Sequence, residues 1–312
     1  MRYRHFTFAF IVLAALIAIS CTKPAQTEMT EKNDTSMSTL VKSGSIEANG
    51  LHYYYEMHGK GEPLLLLHGG LGHIGMFGPV LTEFAKDRLV IAVDLHGHGR
   101  TSLGSRHVNL VDMGNDMALI VKGLGYDSLD VIGYSFGGGV SFRFAAQHPE
   151  MVRKLVIASA PFAQNGYYPE MLPQQAMVSA AMFEMMKETP MYKSYAAVAP
   201  DSTEFPRLLD EMGNFMKLPY DWTDDVKKLT MPTMLVYGDA DMITLDHITK
   251  FYHLLGGAQQ DAGWQREHMS KNRLAILPNL THYEVFMSPA FADVAVRFLK
   301  GEEKAGVWGE VE

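Results

Sequence analysis

The chain has 312 residues, enough for one large catalytic domain with an insertion or for two modest domains. Apolar residues make up 47% of it and charged residues 20%, which is typical of a folded globular protein and not of a disordered or fibrous one. A formal net charge of −8 argues against a nucleic-acid partner, because phosphates are bound by a basic face. The single cysteine excludes an intrachain disulfide.

The first twenty residues have the layout of an export signal. Arg2 and Arg4 precede an almost unbroken apolar run over 6–19, and the small residue Ser20 follows it. This run is shorter than the ~20 residues that cross a bilayer comfortably. We therefore predict a signal peptide over residues 1–20.

The residue after the signal, Cys21, is the single cysteine of the chain. The stretch Ala18-Ile19-Ser20-Cys21 resembles the lipobox of bacterial lipoproteins, in which the cysteine is acylated and becomes the mature N-terminus. The resemblance implies lipidation at Cys21 and a membrane partner through that anchor. It also implies a place in the bacterial cell envelope, exported and facing the periplasm or the cell surface. The alternatives are an uncleaved N-terminal anchor and a plain secretory signal with an incidental cysteine.

Short apolar runs alternate with helical stretches through the remainder of the chain. Runs that no polar residue interrupts are typical of strands buried on both faces of a parallel sheet. Asn49-Gly50, between the first two runs, predicts a hairpin turn. The predicted strands are 45–48, 51–56, 64–67, 89–93, 129–132, 155–158, 234–237 and 274–277, and the predicted helices are 77–85, 111–124, 136–147, 246–255 and 289–299. This order predicts a mostly parallel, doubly wound α/β sheet of eight strands.

One stretch, over 162–225, interrupts the alternation. It is rich in methionine and aromatic residues, and prolines divide it into short helical pieces. Because it lies between two sheet strands, we predict an inserted helical cap and not a second domain. The predicted layout is then a signal peptide over 1–20, a flexible tether over 21–41, a core over 42–161 and 226–301, the cap over 162–225, and a C-terminal tail over 302–312.

The strongest single motif is Gly133-Tyr134-Ser135-Phe136-Gly137, directly after a predicted strand and directly before a predicted helix. Strand, tight turn and helix are the context of a nucleophile elbow, which predicts Ser135 as a nucleophile. Side chains at 133 and 137 would collide in so tight a turn, which explains the two glycines. The helix start places free N–H groups beside the serine, and that of Phe136 is a predicted oxyanion donor.

A serine hydroxyl needs a neighbouring base near pH 7, and histidine is suited to that role. His282 follows the last predicted strand, so it belongs to the carboxyl edge of the sheet, where the elbow serine also lies. A carboxylate that orients the histidine is expected after the preceding strand. Two acids compete there, Asp239 and Asp241.

At this point the chain resembles the α/β-hydrolase superfamily, over about residues 45 to 300. The triad order of that superfamily is serine, acid, histidine, with the acid in a Gly-x-x-Asp turn. Gly238-Asp239-Ala240-Asp241 matches with Asp241 in the catalytic position, which leaves Asp239 as a turn former. The match continues through Asp94-Leu95-His96-Gly97-His98-Gly99-Arg100-Thr101-Ser102, a loop after the fourth strand.

A second oxyanion donor is expected from the loop His68-Gly69-Gly70-Leu71-Gly72. The resemblance points to the N–H of Gly70, with Leu71 as its open neighbour, and His68 is predicted to brace the loop. The pair His96 and His98 has the form of a metal-binding motif, but no carboxylate and third histidine at suitable spacing accompany it. We therefore expect neither a metal nor a cofactor.

These residues predict acyl transfer to water on a small-molecule substrate that carries a carbonyl, most simply a carboxylic ester or a lactone. A serine at the elbow argues against the epoxide-hydrolase and haloalkane-dehalogenase branches, which attack through a carboxylate. Three alternatives stay open: a prolyl aminopeptidase-like enzyme, a C–C bond hydrolase with the same triad, and a non-catalytic binding protein on a hydrolase scaffold. In the peptidase alternative a substrate amine is bound by the cap acids Glu170, Glu184, Glu188 and Glu204.

Overall fold

A computed structural model describes residues 39–302 of the chain. The predicted signal peptide, Cys21 and the tether up to residue 38 lie outside the described residues, as does the tail from residue 303. Within 39–302, no helix combines the length and the apolar character that crossing a membrane requires.

The described residues form one eight-stranded sheet in the order β1-β2-β4-β3-β5-β6-β7-β8. The strands are β1 (Leu40–Ala48), β2 (Leu51–Gly59), β3 (Glu62–Leu67), β4 (Arg88–Val93), β5 (Leu129–Tyr134), β6 (Val152–Ala158), β7 (Thr233–Ala240) and β8 (Arg273–Thr281). β2 runs antiparallel to both of its neighbours, β1 and β4. The six strands β3 to β8 are parallel to one another. The predicted mostly parallel α/β fold is confirmed.

Ten α-helices connect or cover these strands in the described part of the chain. They are α1 (Pro79–Ala85), α2 (Leu110–Gly123), α3 (Phe136–Gln147), α4 (Met171–Ala176), α5 (Phe183–Met186), α6 (Pro190–Ala196), α7 (Phe205–Lys217), α8 (Thr223–Val226), α9 (Leu245–Leu254) and α10 (Pro289–Lys300). Between β6 and β7 the chain forms α4 to α8 and no named strand.

Apolar side chains fill both faces of the sheet. Along β3, Leu65 and Leu67 belong to one buried cluster, and Leu64 and Leu66 belong to the other. Because side chains alternate across a strand, a strand covered on both faces must be apolar at every position. This double burial is why the sequence shows unbroken apolar runs.

The hairpin and the start of the sheet show where local sequence signals succeed and where they fail. Asn49 and Gly50 both have positive φ, 48° and 79°, as an Asn-Gly two-residue hairpin turn requires. β1, however, begins at Leu40, so the last two residues of the predicted tether belong to the sheet. Leu40 and Val41 are 46% and 66% exposed, and a register shift between Leu40 and Lys42 breaks the alternation that would have marked them as strand residues.

Within the predicted cap, α7 has a regular apolar face. Phe205, Leu208, Leu209 and Met212 recur at helical spacing, are buried, and join the core cluster on one side of the sheet. By contrast, α4 and α5 contain no buried residue. α7 therefore contributes more buried residues to the core than any other helix of this stretch, and α6 and α8 each add one, Tyr195 and Val226.

Candidate active site

Ser135 occupies a strained turn between the end of β5 and the start of α3. Its φ is 53° and its ψ is −116°, a conformation that non-glycine residues rarely adopt and that is found at functional sites. A Cβ on Gly133 would lie 2.2 Å from the Gly137 oxygen, and one on Gly137 would lie 2.4 Å from the His68 oxygen. Glycine is therefore required at both positions, as the motif predicts.

The structure brings the three predicted site residues together at the carboxyl edge of the sheet. The Ser135 hydroxyl lies 2.9 Å from His282 Nε2, and His282 Nδ1 lies 2.9 Å from Asp241 Oδ1. Asp241 directly follows β7 and His282 directly follows β8, so strand ends place both residues. In the matching tautomer, Nδ1–H donates to the carboxylate and Nε2 accepts from the serine hydroxyl, which makes Nε2 the available base.

Geometry also separates the two competing acids. The Asp239 side chain is exposed and accepts a hydrogen bond from the Leu280 N–H at 3.2 Å. It therefore links β7 to β8 and does not contact His282. The Asp241 side chain, by contrast, is 1% exposed and faces the histidine.

Two residues that the sequence reading missed hold the acid and the base in place. The Ser159 hydroxyl donates to Asp241 Oδ2 at 2.5 Å, and the Tyr134 hydroxyl donates to the His282 carbonyl at 2.6 Å. Burial, with Asp241 nearby, raises the pKa of Tyr134, so its hydroxyl keeps the donated proton. Ser159 directly follows β6 at the same sheet edge, and this position was the available signal.

The predicted oxyanion donors lie side by side. Phe136 is the first residue of α3, so its N–H has no acceptor within the helix. A Cβ built on Gly70 would lie 3.6 Å from Phe136 Cβ, which places the two backbones next to each other. Among the hydrogen bonds of residues 39–302, neither the Gly70 N–H nor the Leu71 N–H has an acceptor. Both remain available to a substrate oxygen.

His68 braces the loop that carries these donors, as predicted. Its Nδ1–H donates to the Gly69 carbonyl at 2.7 Å, and its Nε2 accepts from the Leu95 N–H at 2.9 Å. Burial lowers the pKa of His68 to about 3, so the ring is neutral and can make both bonds.

The pair His96 and His98 is engaged in the same loop region. His96 Nε2 donates to the Leu103 carbonyl, and His98 Nδ1 donates to the His96 carbonyl, each at 2.7 Å. The His98 ring also stacks on Phe136, with ring centres 5.4 Å apart. Over residues 39–302, no group of three or more His, Cys, Asp or Glu side chains is arranged to hold a metal ion.

A cavity of about 500 Å³ lies against Ser135 and His282 and is lined mainly by apolar side chains. Pockets of this size accept drug-sized ligands. Six methionines contribute to the wall: Met76, Met171, Met191, Met212, Met216 and Met242. No Lys, Arg, Asp or Glu of the described chain lines the cavity.

The cap acids of the peptidase alternative lie elsewhere. None of the four lines the cavity. Glu184 pairs with Lys187, Glu188 with Lys193 and Glu204 with Arg207, and Glu170 is exposed. These carboxylates are therefore not placed to bind a substrate amine in this cavity, and local ion pairs or solvent exposure account for them, which weakens the peptidase alternative.

Comparison with known proteins gives the same fold. A family model described as alpha/beta hydrolase fold matches residues 62–190. The crystal structure of carboxylesterase CesB from Bacillus subtilis superposes with a TM-score of 0.64 at 17% identity, covering 83% of this chain and 92% of that one.

Two sequence relatives cover different shares of the chain. A soluble epoxide hydrolase of Corynebacterium sp. (strain C12) is 35% identical over 121 residues, which are 39% of this chain and 42% of that protein. The chain thus spans about two fifths of the length of this relative. A pimeloyl-[acyl-carrier protein] methyl ester esterase of Nitrosospira multiformis is 24% identical over 271 residues, which are 79% of this chain and 98% of that protein.

The sheet order, the nucleophile elbow and the match to the family model all indicate the same fold class. The chain has the alpha/beta hydrolase fold.

Proposed function

We propose that this chain is a serine hydrolase that cleaves a carboxylic ester or a lactone through an acyl-enzyme intermediate. The observation that carries the proposal is the pair of 2.9 Å contacts that join Ser135 to His282 and His282 to Asp241 beside an apolar cavity. The name of the Nitrosospira relative, which matches along nearly its whole length, supports ester cleavage.

The reaction follows from the positions of these groups. Ser135 Oγ attacks the substrate carbonyl carbon while His282 Nε2 takes the hydroxyl proton. The carbonyl oxygen becomes an oxyanion that accepts hydrogen bonds from the N–H groups of Phe136 and Gly70. Asp241 stabilises the imidazolium that forms. His282 then protonates the departing alkoxide, which leaves the acyl group on Ser135.

The second half of the reaction uses the same groups in reverse. A water molecule gives a proton to His282 and attacks the acyl carbonyl carbon. The tetrahedral intermediate collapses, the bond to Ser135 Oγ breaks, and His282 returns the proton to the serine. The carboxylic acid leaves and the starting enzyme is restored.

A serine at the elbow distinguishes this chain from enzymes that open epoxides through a carboxylate. An alkyl-enzyme ester requires a carboxylate oxygen as the nucleophile, whereas Ser135 provides an alcohol oxygen suited to attack on a carbonyl.

We test the proposal with a panel of p-nitrophenyl esters, γ- and δ-lactones and p-nitroanilides. The chain should hydrolyse esters or lactones, and Ser135→Ala should lower kcat/KM by at least about 10⁴-fold. Ser105→Ala, at an exposed loop serine, is the matched control and should leave kcat/KM unchanged. Turnover that survives in Ser135→Ala, or a preference for anilides over all esters and lactones, would refute the proposal.

We also propose that the protein is exported and anchored in the bacterial cell envelope by acylation of Cys21, with its domain outside the cytoplasm. The charged, apolar and small-residue order of 1–21 supports this proposal. Labelled palmitate should be incorporated into the protein and should be absent from Cys21→Ala. An N-terminal mass that retains residues 1–20 without acylation would contradict it.

A further inference from the structure

The helix α7, in the 162–225 stretch, packs on the backbone of the first oxyanion donor. A Cβ built on Gly70 would lie 3.1 Å from Met212 Cε. Among the described residues other than its chain neighbours, the only further atom within 4 Å of that position is Phe136 Cβ. Met212 is 4% exposed, so the core around it confines its side chain. The Met212 methyl group therefore rests on the backbone that carries the Gly70 N–H.

The same helix contacts the residue that carries the other donor. The Phe136 ring contacts the His98 ring, with centres 5.4 Å apart, and the Phe215 ring, with centres 5.5 Å apart. Phe215 approaches edge-on, with the two ring planes at 78°, which is a favourable aromatic geometry. Because Met212 and Phe215 are three residues apart, they lie on one side of α7. One side of this helix thus packs on both donor residues.

The loop that carries Gly70 needs such a support. Gly69 and Gly70 are adjacent, and glycine restricts its own backbone less than any other residue. The Gly69 carbonyl accepts from the Gly72 N–H at 3.2 Å. Within residues 39–302, however, neither the N–H nor the carbonyl of Gly70 has a hydrogen-bond partner. Packing therefore has to hold the Gly70 peptide in place.

Hydrogen bonds outside the cavity tie α7 to the core. The Arg207 guanidinium donates to the Gly104 carbonyl at 2.7 Å, and the Glu211 carboxylate accepts from the Val108 N–H at 3.2 Å. Neither Arg207 nor Glu211 lines the cavity. The helix that reaches the oxyanion donors is thus held from a side that the substrate does not contact.

Met212 and Phe215 also line the cavity, so contact with the substrate is the alternative explanation of their positions. The two roles have different kinetic consequences. A wall residue binds the substrate and the transition state alike, so its loss raises KM to an extent that depends on the substrate chain. A residue that aims an oxyanion donor acts on the charged transition state, so its loss lowers kcat for every ester.

Resting on the proposed serine-hydrolase function, we propose that α7 completes the oxyanion hole, with Met212 and Phe215 as positioning residues for the N–H groups of Gly70 and Phe136. The two donors belong to the segments after β3 and β5, and their support comes from the 162–225 stretch. Neither supporting side chain donates to the oxyanion or exchanges a proton. The donors have to stand about 3 Å from the oxyanion, so a small shift of either backbone reduces the rate.

The first test measures two variants with p-nitrophenyl butyrate and p-nitrophenyl octanoate. In Met212→Ala, kcat should fall about tenfold on both esters while KM changes by less than about threefold, because Gly70 loses its support. Phe215→Leu removes the ring that contacts Phe136 but keeps an apolar side chain. Its kcat should fall about threefold on both esters.

The inhibitor 1,1,1-trifluorobutan-2-one provides a second readout that a wall contact would not change. Ser135 Oγ adds to its carbonyl carbon, the hydroxyl proton passes to His282, and the carbonyl oxygen becomes an oxyanion in the hole. The molecule is too small to need the far cavity wall. Its inhibition constant should rise in Met212→Ala by the same factor by which kcat falls.

Two further methionine variants serve as controls. Met212→Leu keeps an apolar side chain of similar volume and should restore kcat to within about threefold of the parent protein. Met216→Ala shortens another methionine of the cavity wall, one that does not lie within 4 Å of a Cβ on Gly70. It should raise KM for the butyrate ester, and the inhibition constant of the trifluoromethyl ketone should change by less than about twofold.

A variant outside the cavity tests the same support from a distance. Glu211→Ala removes the acceptor of the Val108 N–H and should lower kcat about threefold with KM unchanged. Glu211→Gln keeps an oxygen acceptor at this position and is the matched control, with kcat close to that of the parent protein. This pair decides the inference if Met212→Ala does not fold.

Other outcomes overturn the inference. A loss in Met212→Ala that appears in KM alone, with an unchanged inhibition constant, assigns Met212 to the cavity wall and leaves the serine hydrolase in place. Equal kcat values in Glu211→Ala and Glu211→Gln would also contradict the inference. Absence of turnover on every ester and lactone, with no covalent labelling of Ser135, refutes the proposed function and the inference with it.

Discussion

The carboxyl edge of the sheet and the 162–225 stretch face each other across one cavity, yet they are built in different ways. At the sheet edge, Ser135, Asp241 and His282 each directly follow the end of a strand, so the backbone sets their separation. In the 162–225 stretch, short helices present methionines and a few neutral polar groups. We expect catalysis to depend on the residues at the sheet edge and substrate choice to depend on the 162–225 stretch, with Met212 and Phe215 as the exceptions.

The comparison predicts that substitutions at the sheet edge act on the rate of every substrate, whereas substitutions across the cavity act on substrate preference. The largest contrast is expected between two acids that are two residues apart. Asp241→Asn should lower kcat on any ester by roughly 10³- to 10⁴-fold, because the amide no longer orients and stabilises a protonated His282. Initial rates under saturating ester measure the effect.

Asp239→Asn is the control for that experiment. Among residues 39–302, its carboxylate accepts a hydrogen bond from the Leu280 N–H at the surface and from no other group, so kcat should change by less than about twofold. Equal losses in the two variants would show that the choice of Asp241 as the orienting acid is wrong.

A second prediction concerns the stability of the loops beneath the site. Burial lowers the pKa of both His68 and His98 to about 3, whereas an unfolded histidine titrates near 6.5. Between these values the unfolded chain binds protons that the folded chain does not, so the free energy of unfolding falls as pH falls. Each histidine should contribute about 1.4 kcal/mol per pH unit between pH 6 and pH 4.

Urea unfolding of the protein across that range measures the slope. His98→Asn removes the buried His98 ring, so its slope should be smaller than that of the parent protein by about 1.4 kcal/mol per pH unit. An unchanged slope in the variant would contradict the assignment of a neutral, buried His98.

A third prediction concerns Ser159, whose hydroxyl donates to the second oxygen of Asp241. Ser159→Ala should lower kcat about tenfold with little change in KM, because the carboxylate loses a bond that orients it. Ser141→Ala is the matched control, since this buried hydroxyl donates to the Gly138 carbonyl. A loss that appears in KM alone would assign Ser159 to substrate binding instead.

The smallest expected effect is on the opposite side of the cavity. Met216 lines the cavity and is half-buried, so Met216→Ala should favour longer acyl chains and lower kcat/KM for a butyrate ester about threefold. Met177, which is 65% exposed and does not line the cavity, provides the control Met177→Ala. An equal loss of kcat/KM for every acyl chain length in Met216→Ala would contradict this prediction, because that pattern is the one expected for Ser135, Asp241 and His282.

Sequence reasoning succeeded where one physical constraint acts on every residue of a segment. Strands covered on both faces must be apolar throughout, and the elbow has no room for a Cβ at 133 or 137, so both features are visible in the sequence. The two acids at the end of β7, Asp239 within the strand and Asp241 just after it, were harder to separate. The register of β7 and β8 shifts between Gly238 and Ala240, so strand alternation does not determine which acid faces His282.

The remaining features depend on contacts between distant segments. Ser159 belongs to no local motif, and its role exists only because β6 ends beside β7. Met185, in the four-residue helix α5, is 67% exposed. A helix of about one turn is too short to show an apolar period, so the sequence does not reveal which of its side chains are exposed.

The most direct test of the central claim is covalent labelling by a fluorophosphonate followed by peptide mass spectrometry. The account predicts one adduct per chain, located on Ser135, formed at a rate that drops sharply in Asp241→Asn and absent from Ser135→Ala. A folded protein that does not react, or an adduct on another residue with Ser135 unmodified, would contradict it.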